Sequence, residues 1–139
     1  MTAGQKRLVT ESLTTLIPVA DLLGDIFYSR LFEMDPPLKY LFPSDMNHQG
    51  EKLIAAVNQA AACLDRMETL ESTMQEFGLR HAGYGVKDHH YDAAEQALLW
   101  TVRMGMGSAF TVDVRDAWVS FYGEMAAAMK RGAAKRIET

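Results

Sequence analysis

The stretch Phe77-Gly78-Leu79-Arg80-His81-Ala82-Gly83-Tyr84-Gly85-Val86 sets an imidazole at the end of an amphipathic helix, just before a glycine corner. Phe77 lies one turn before His81 and Met74 a further turn back, so all three side chains project from one helix face. A neutral imidazole there can offer one nitrogen to a metal. Its other nitrogen can donate to a backbone carbonyl of the preceding turn, which fixes tautomer and ring orientation. The spacing predicts a helix from about Thr69 to His81, ended by the Gly83/Gly85 pair, which suits positive backbone dihedrals.

Helical spacing extends outward from this segment in both directions. Thr2 and Gln5 have the spacing of a capping box, opening a helix with Leu8, Leu13, Leu16 and Ile17 as candidates for burial. Pro18 marks a boundary, and a second helix runs from there to Met34, stopped by Asp35-Pro36-Pro37. A short turn through Leu38 to Pro43 follows. A long helix begins near Ser44 or Asp45 and places Leu53, Val57, Ala60 and Leu64 on one face. After the glycine corner, a helix spans about 89–104 and ends near Gly105/Gly107. The last begins near Thr111, with Trp118, Phe121, Tyr122, Met125 and Met129 on a continuous apolar face. Strand signals are nearly absent, with no Asn-Gly or Asp-Gly hairpin turn. The expectation is an all-α domain of six to seven helices.

Composition narrows the class of function. The 139 residues, 48% hydrophobic and 23% charged, suffice for one domain with a substantial core. A formal net charge of -4 offers no basic excess for nucleic-acid phosphates. No stretch approaches the roughly 20 apolar residues of a membrane span, and MTAGQKRLVTES lacks the apolar run of a signal peptide. One cysteine, Cys63, forms no intramolecular disulfide. These features fit a cytoplasmic protein with neither nucleic acid nor membrane as a partner. The nine methionines fall mostly at helical core spacing, where they read as flexible fillers. Lys130, Arg131, Lys135 and Arg136 read as a solvated helix end.

The four histidines, His48, His81, His89 and His90, make no zinc pattern, because Cys63 stands alone and no H-x-x-x-H pair occurs. An isolated histidine is more often a surface or capping residue than a ligand. Likewise a lone Tyr28 reads most simply as a core tyrosine bonded to a backbone carbonyl.

Taken together, the motifs change that balance. The run from Phe77 to Val86, followed by Tyr91, resembles the proximal helix and corner of bacterial single-domain globins, the lineage shared by flavohaemoglobin globin domains and neuroglobin-like proteins. Phe27-Tyr28-Ser29-Arg30-Leu31-Phe32 and Lys39-Tyr40-Leu41-Phe42 are similar to that lineage's distal tyrosine and haem-stacking phenylalanine segments. Gln49-Gly50-Glu51-Lys52-Leu53 resembles its distal-helix motif, and Trp118-Val119-Ser120-Phe121-Tyr122 its last helix. The four motifs stand in the family's order across nearly the whole chain, 1–139, as a single globin domain around one haem b.

The resemblance implies roles residue by residue. His81 is the proximal iron ligand. Phe42 stacks on the porphyrin, while Leu53, Phe77, Val86 and Leu98 wall an apolar pocket. Tyr28 and Gln49 project over the open iron position and donate toward bound dioxygen, whose outer atom becomes partly negative. His48 competes for the distal role, but Gln49 lies one turn before Leu53 and two before Val57, whereas His48 aligns with the polar Lys52. Lys52 reaches a haem propionate, its stem running along apolar surface. Tyr91 matches the tyrosine of the flavohaemoglobin proximal network, but Ala133 stands where that network's glutamate belongs. Without the anion, the histidine gains less imidazolate character, which disfavours peroxidase-like or fast dioxygenase chemistry.

The implied function is reversible binding of dioxygen, nitric oxide and carbon monoxide at a pentacoordinate or weakly hexacoordinate iron. The alternatives are nitric-oxide dioxygenation or nitrite reduction with a separate reductase, a haem-based gas sensor, or a haem-free helical module. No G-x-G-x-x-G segment for a nicotinamide or flavin cofactor is present.

Overall fold

The structure, a computed structural model, describes residues 1–42 and 49–138; the side chains of Gln49, Arg136, Ile137 and Glu138 lie outside the described residues. Ser44, Asp45 and His48, named above as possible caps and a rival distal residue, also lie outside them.

Among the described residues six α-helices carry the fold: α1 Ala3–Leu16, α2 Ala20–Met34, α3 Gln49–Ala62, α4 Met67–Gly83, α5 Asp88–Met106 and α6 Val112–Glu138. Short 3-10 turns occupy Ile17–Val19, Pro36–Leu41 and Gly107–Ala109, and no strand occurs among the described residues. The fold is all-α, as the periodicity predicts.

Local chemistry explains the helix ends. Thr2 and Gln5 form the expected capping box, each side chain meeting the other's backbone N–H at 3.0 Å. Pro18 sits in the 3-10 turn between α1 and α2 rather than inside α2. Its ring cannot donate the hydrogen bond that a continuous helix needs. That turn carries Ile17 outward to 42% exposure, correcting its expected burial, while Leu13 and Leu16 are buried as expected. Only Gly85 of the glycine pair takes a positive φ, +93°; Gly83 is the last helical residue of α4.

Packing then builds the frame of the site. α6 lies along α4 and also covers α1, while α2 is flanked by α3 and α5. Two crossings bring backbones into contact. A Cβ on Gly24 would overlap the Gly50 Cα, so α2 and α3 meet at a point where neither helix carries a side chain. Tyr28 lies one turn beyond Gly24, and Leu53 one turn beyond Gly50. A Cβ on Gly78 would overlap the Met129 carbonyl, and one on Gly132 the Gln75 carbonyl, locking α4 to α6 over about one turn of each helix. The core proper gathers Val9, Leu16, Leu23, Val102, Trp118 and Phe121, all essentially excluded from solvent. Of the methionines, Met74 and Met125 are buried, but Met34, Met67 and Met104 are exposed, so core filling accounts for only part of that set.

Candidate functional site

An apolar cavity of about 200 Å3 opens between these helices. α2 contributes Tyr28, the turn after it Phe42, and α3 contributes Leu53. α4 contributes Met74, Phe77 and His81, which share one face as the spacing requires. Val86 from the corner, Tyr91 and Leu98 from α5, and Met125 and Met129 from α6 complete the wall. The cavity therefore brings together Tyr28, Phe42, Leu53, Phe77, His81, Val86, Tyr91 and Leu98 from the sequence-derived set. Lys52 is exposed and stands outside the lining. The Gln49 backbone begins α3, while its side chain lies outside the described residues.

His81 is exposed at the edge of this cavity, and its Nδ1 lies 2.6 Å from the Phe77 carbonyl oxygen. A carbonyl only accepts, so Nδ1 must carry the proton and donate it. Nε2 then holds a lone pair. Two backbone bonds close the helix end on the same residue: the His81 carbonyl accepts from Tyr84 N at 3.0 Å and from Val86 N at 3.1 Å.

Tyr28 faces the cavity from an aromatic nest. Its ring centre lies 5.0 Å from Phe27 and 5.3 Å from Phe42, both edge-on, and 6.0 Å from Phe32. Edge-to-face contacts of this kind fix ring direction. Burial pushes the Tyr28 phenol up to about 12, so it remains a neutral O–H donor at ordinary pH.

On the far side, Tyr122 donates its hydroxyl to the Tyr91 carbonyl at 2.6 Å, tying α6 to the start of α5. Tyr91 is buried, and burial followed by the Asp88 charge raises its phenol above the usual value. The Lys130 ammonium lies 5.4 Å from the Tyr91 ring centre. Arg131 forms a two-point pair with Glu71, one contact being Nε to Oε2 at 3.1 Å. These two cations are thus engaged, and the C-terminal basic cluster is only partly the solvated helix end that composition suggests. Ala133 leaves no carboxylate at its position, and the His81 Nδ1 partner is a neutral carbonyl.

His90 also lines the cavity, although it stands beyond the glycine corner and is not among the sequence-derived pocket residues. Its Nδ1 accepts from Lys87 N at 2.8 Å, a reverse cap on α5. A spacing signal was present: His90 stands one turn before Ala94 and two before Leu98, and both of these line the cavity.

The donor set fits a haem. On a wall that is mostly apolar and aromatic stand His81, a neutral imidazole with an open Nε2, and His90, whose Nδ1 is held by Lys87 N, while a phenol donor projects from α2.

Comparisons with known proteins agree with this architecture. The family model described as Globin matches residues 25–129. A neuroglobin of Tetraodon nigroviridis is 32% identical over 130 residues, covering 83% of this chain and 81% of that protein. A flavohemoprotein of Rhizobium meliloti is 31% identical over 103 residues, 72% of this chain but 26% of that longer protein. Among solved structures, a bacterial globin from Campylobacter jejuni superposes with a TM-score of 0.88. That likeness covers 99% of this chain and 100% of the other at 22% identity, and it speaks to the fold alone.

Proposed function

The chain belongs to the globin family, and from that premise we propose that it folds as one unit around a single haem b and reversibly binds dioxygen, nitric oxide and carbon monoxide. Haem, when bound, would supply an iron able to take a protein nitrogen and a diatomic gas as ligands. Everything else is the work of the chain.

The observation that carries the reading is the 2.6 Å contact from His81 Nδ1 to the Phe77 carbonyl. It commits Nδ1 as a donor and leaves Nε2 with the free lone pair that iron ligation would need. Phe42 would pack on the macrocycle, and Leu53, Phe77, Val86 and Leu98, which line the cavity with it, would exclude water around it. Lys52, exposed and next in sequence to the lining residue Leu53, would extend its ammonium to a propionate. Tyr28, neutral and held by its aromatic neighbours, would donate to the polarised outer atom of a bound gas, with Gln49 as second donor.

A carbonyl partner on Nδ1 transfers less charge to the imidazole than a carboxylate would. This favours reversible binding over rapid oxidative turnover, and any re-reduction of the iron falls to a separate reductase. A cytoplasmic setting suits the buried free thiol of Cys63. No described helix is long and apolar enough to cross a membrane.

Absorption spectra of the ferric, ferrous, oxygenated and carbon-monoxide forms test the reading. His81→Ala is expected to lose haem or leave it exchangeable, with added imidazole partly restoring the spectrum. His89→Ala is expected to change neither. A normal histidine-ligated ferrous spectrum in His81→Ala overturns the assignment.

A further inference from the structure

Where α2 ends and α5 begins, Asp35, His89 and His90 converge. One ligand-type atom from each lies within 4.8 Å of the other two. The two imidazole rings stand 4.1 Å apart, tilted by 56°. Among the described residues, neither the Asp35 carboxylate nor the His89 ring has a hydrogen bond or ion pair. Asp35 caps no backbone N–H with its side chain although it precedes the 3-10 turn Pro36–Leu41. His90 uses only Nδ1, toward Lys87 N. Two imidazoles and a carboxylate, drawn from two separated segments, are thus placed together with most of their donor atoms unengaged.

We propose that Asp35, His89 and His90 bind a divalent transition ion of the zinc type, distinct from the iron of the haem site. Two nitrogens and one oxygen suit such an ion, with water in the fourth position because His89 is exposed. Tetrahedral binding needs ligand atoms about 3.3 Å apart for bonds of about 2.0–2.1 Å. Rotation of the exposed His89 and a small turn of His90 close that gap. His90 exchanges its Lys87 hydrogen bond for a metal bond at the same Nδ1, its proton staying on Nε2. The Lys87 charge beside His90 opposes the ion, and the Asp35 carboxylate offsets it.

Such an ion would join the end of α2 to the start of α5. Both segments border the cavity, through Leu38 and Phe42 on one side and His90 and Tyr91 on the other. The site is therefore a staple across one rim of the cavity.

The test is zinc titration of the full haem-loaded chain, free of any affinity tag, by calorimetry and by competition with a chromophoric chelator. One equivalent is expected to bind at low micromolar concentration or tighter, with the melting midpoint rising by several degrees in excess zinc. His89→Ala, whose side chain lies outside the cavity lining, and Asp35→Asn are each expected to weaken binding by roughly a hundredfold. Loss of a mere outer hydrogen-bonding partner already costs about 10–100-fold. His48→Ala is expected to leave binding intact, and magnesium is expected not to compete. No zinc binding below millimolar concentration, binding that survives both variants, loss of binding in His48→Ala, or equal competition by magnesium overturns the site.

Discussion

A phenol held by rings on several sides is aimed by shape, and Tyr28 is held in this way by Phe27, Phe32 and Phe42. Tyr28→Phe removes one hydroxyl and leaves the ring and its packing. A hydrogen bond to a charged partner contributes about 1.5–3 kcal/mol. Oxygen dissociation is therefore expected to quicken by roughly one to two orders of magnitude in stopped-flow measurements, with carbon monoxide release changing far less. Gln49→Leu is expected to give a smaller shift in the same direction, and His48→Leu little. A large effect from His48→Leu and none from Gln49→Leu would move the distal register by one residue. The same tyrosine makes stability sensitive to alkali. Folded and unfolded forms both keep the phenol proton below about pH 10, the ordinary tyrosine value. Above it the unfolded chain releases the proton, while the folded chain holds it to about 12. Stability therefore falls as pH rises from about 10 to 12, and Tyr28→Phe is expected to flatten that loss by about 2–3 kcal/mol in urea titrations. At this scale the sequence is legible wherever motif order identifies a residue, as for Tyr28, Phe42 and Phe77. His90 is less so. Its place in the cavity depends on how the start of α5 packs against the end of α2, a relation between segments more than fifty residues apart.

Helices touch backbone to backbone where glycines permit it, and α4 and α6 do so at Gly78 and Gly132. Gly132→Ala puts a methyl into the Gln75 carbonyl, where no flexible side chain can yield. It is expected to destabilise the fold by about 1–3 kcal/mol or more in urea unfolding. Gly123, also in α6, has open space where an added methyl would lie, with no atom within 4 Å, and serves as the control. Gly123→Ala is expected to stabilise by about 0.5–1 kcal/mol through helix propensity alone. If both substitutions move stability in the same direction, the close crossing is not what holds α4. Helix number, order and apolar faces were readable from periodicity, because burial of one face repeats every three to four residues. Boundaries were less so: α4 begins at Met67 rather than near Thr69, and the 3-10 turn at Pro18 separates two helices that the proline merely suggests. Tertiary crossings such as Gly24 with Gly50 leave no periodic trace, since a glycine in a helix reads locally as a defect.

Across the whole molecule, burial is uneven. α1 and the first half of α6 supply Val9, Leu16, Trp118 and Phe121, while the last turn of α4 exposes Leu79, Arg80 and His81. Hydrogen exchange is expected to find the slowest amides in α1 and in α6 around Trp118–Phe121, and fast ones at the end of α4. Uniform protection along α4 would contradict that order. The residue that would grip iron thus stands on an exposed terminal turn of its helix. There the Phe77 carbonyl receives the imidazole proton at the position where the regular helical bond from residue 81 also falls. Tautomer and helicity are consequently one variable: if the terminal turn unwinds, the ring loses its fixed direction. That turn is shut from outside by Val86 N on the His81 carbonyl, a bond reached only because Gly85 bends the chain at φ +93°. Gly85 behaves as a latch whose failure is felt at a nitrogen four residues away. A side chain there costs about 1–3 kcal/mol of backbone strain, and Gly85→Ala should loosen the metal-binding imidazole while leaving every wall of the cavity chemically intact.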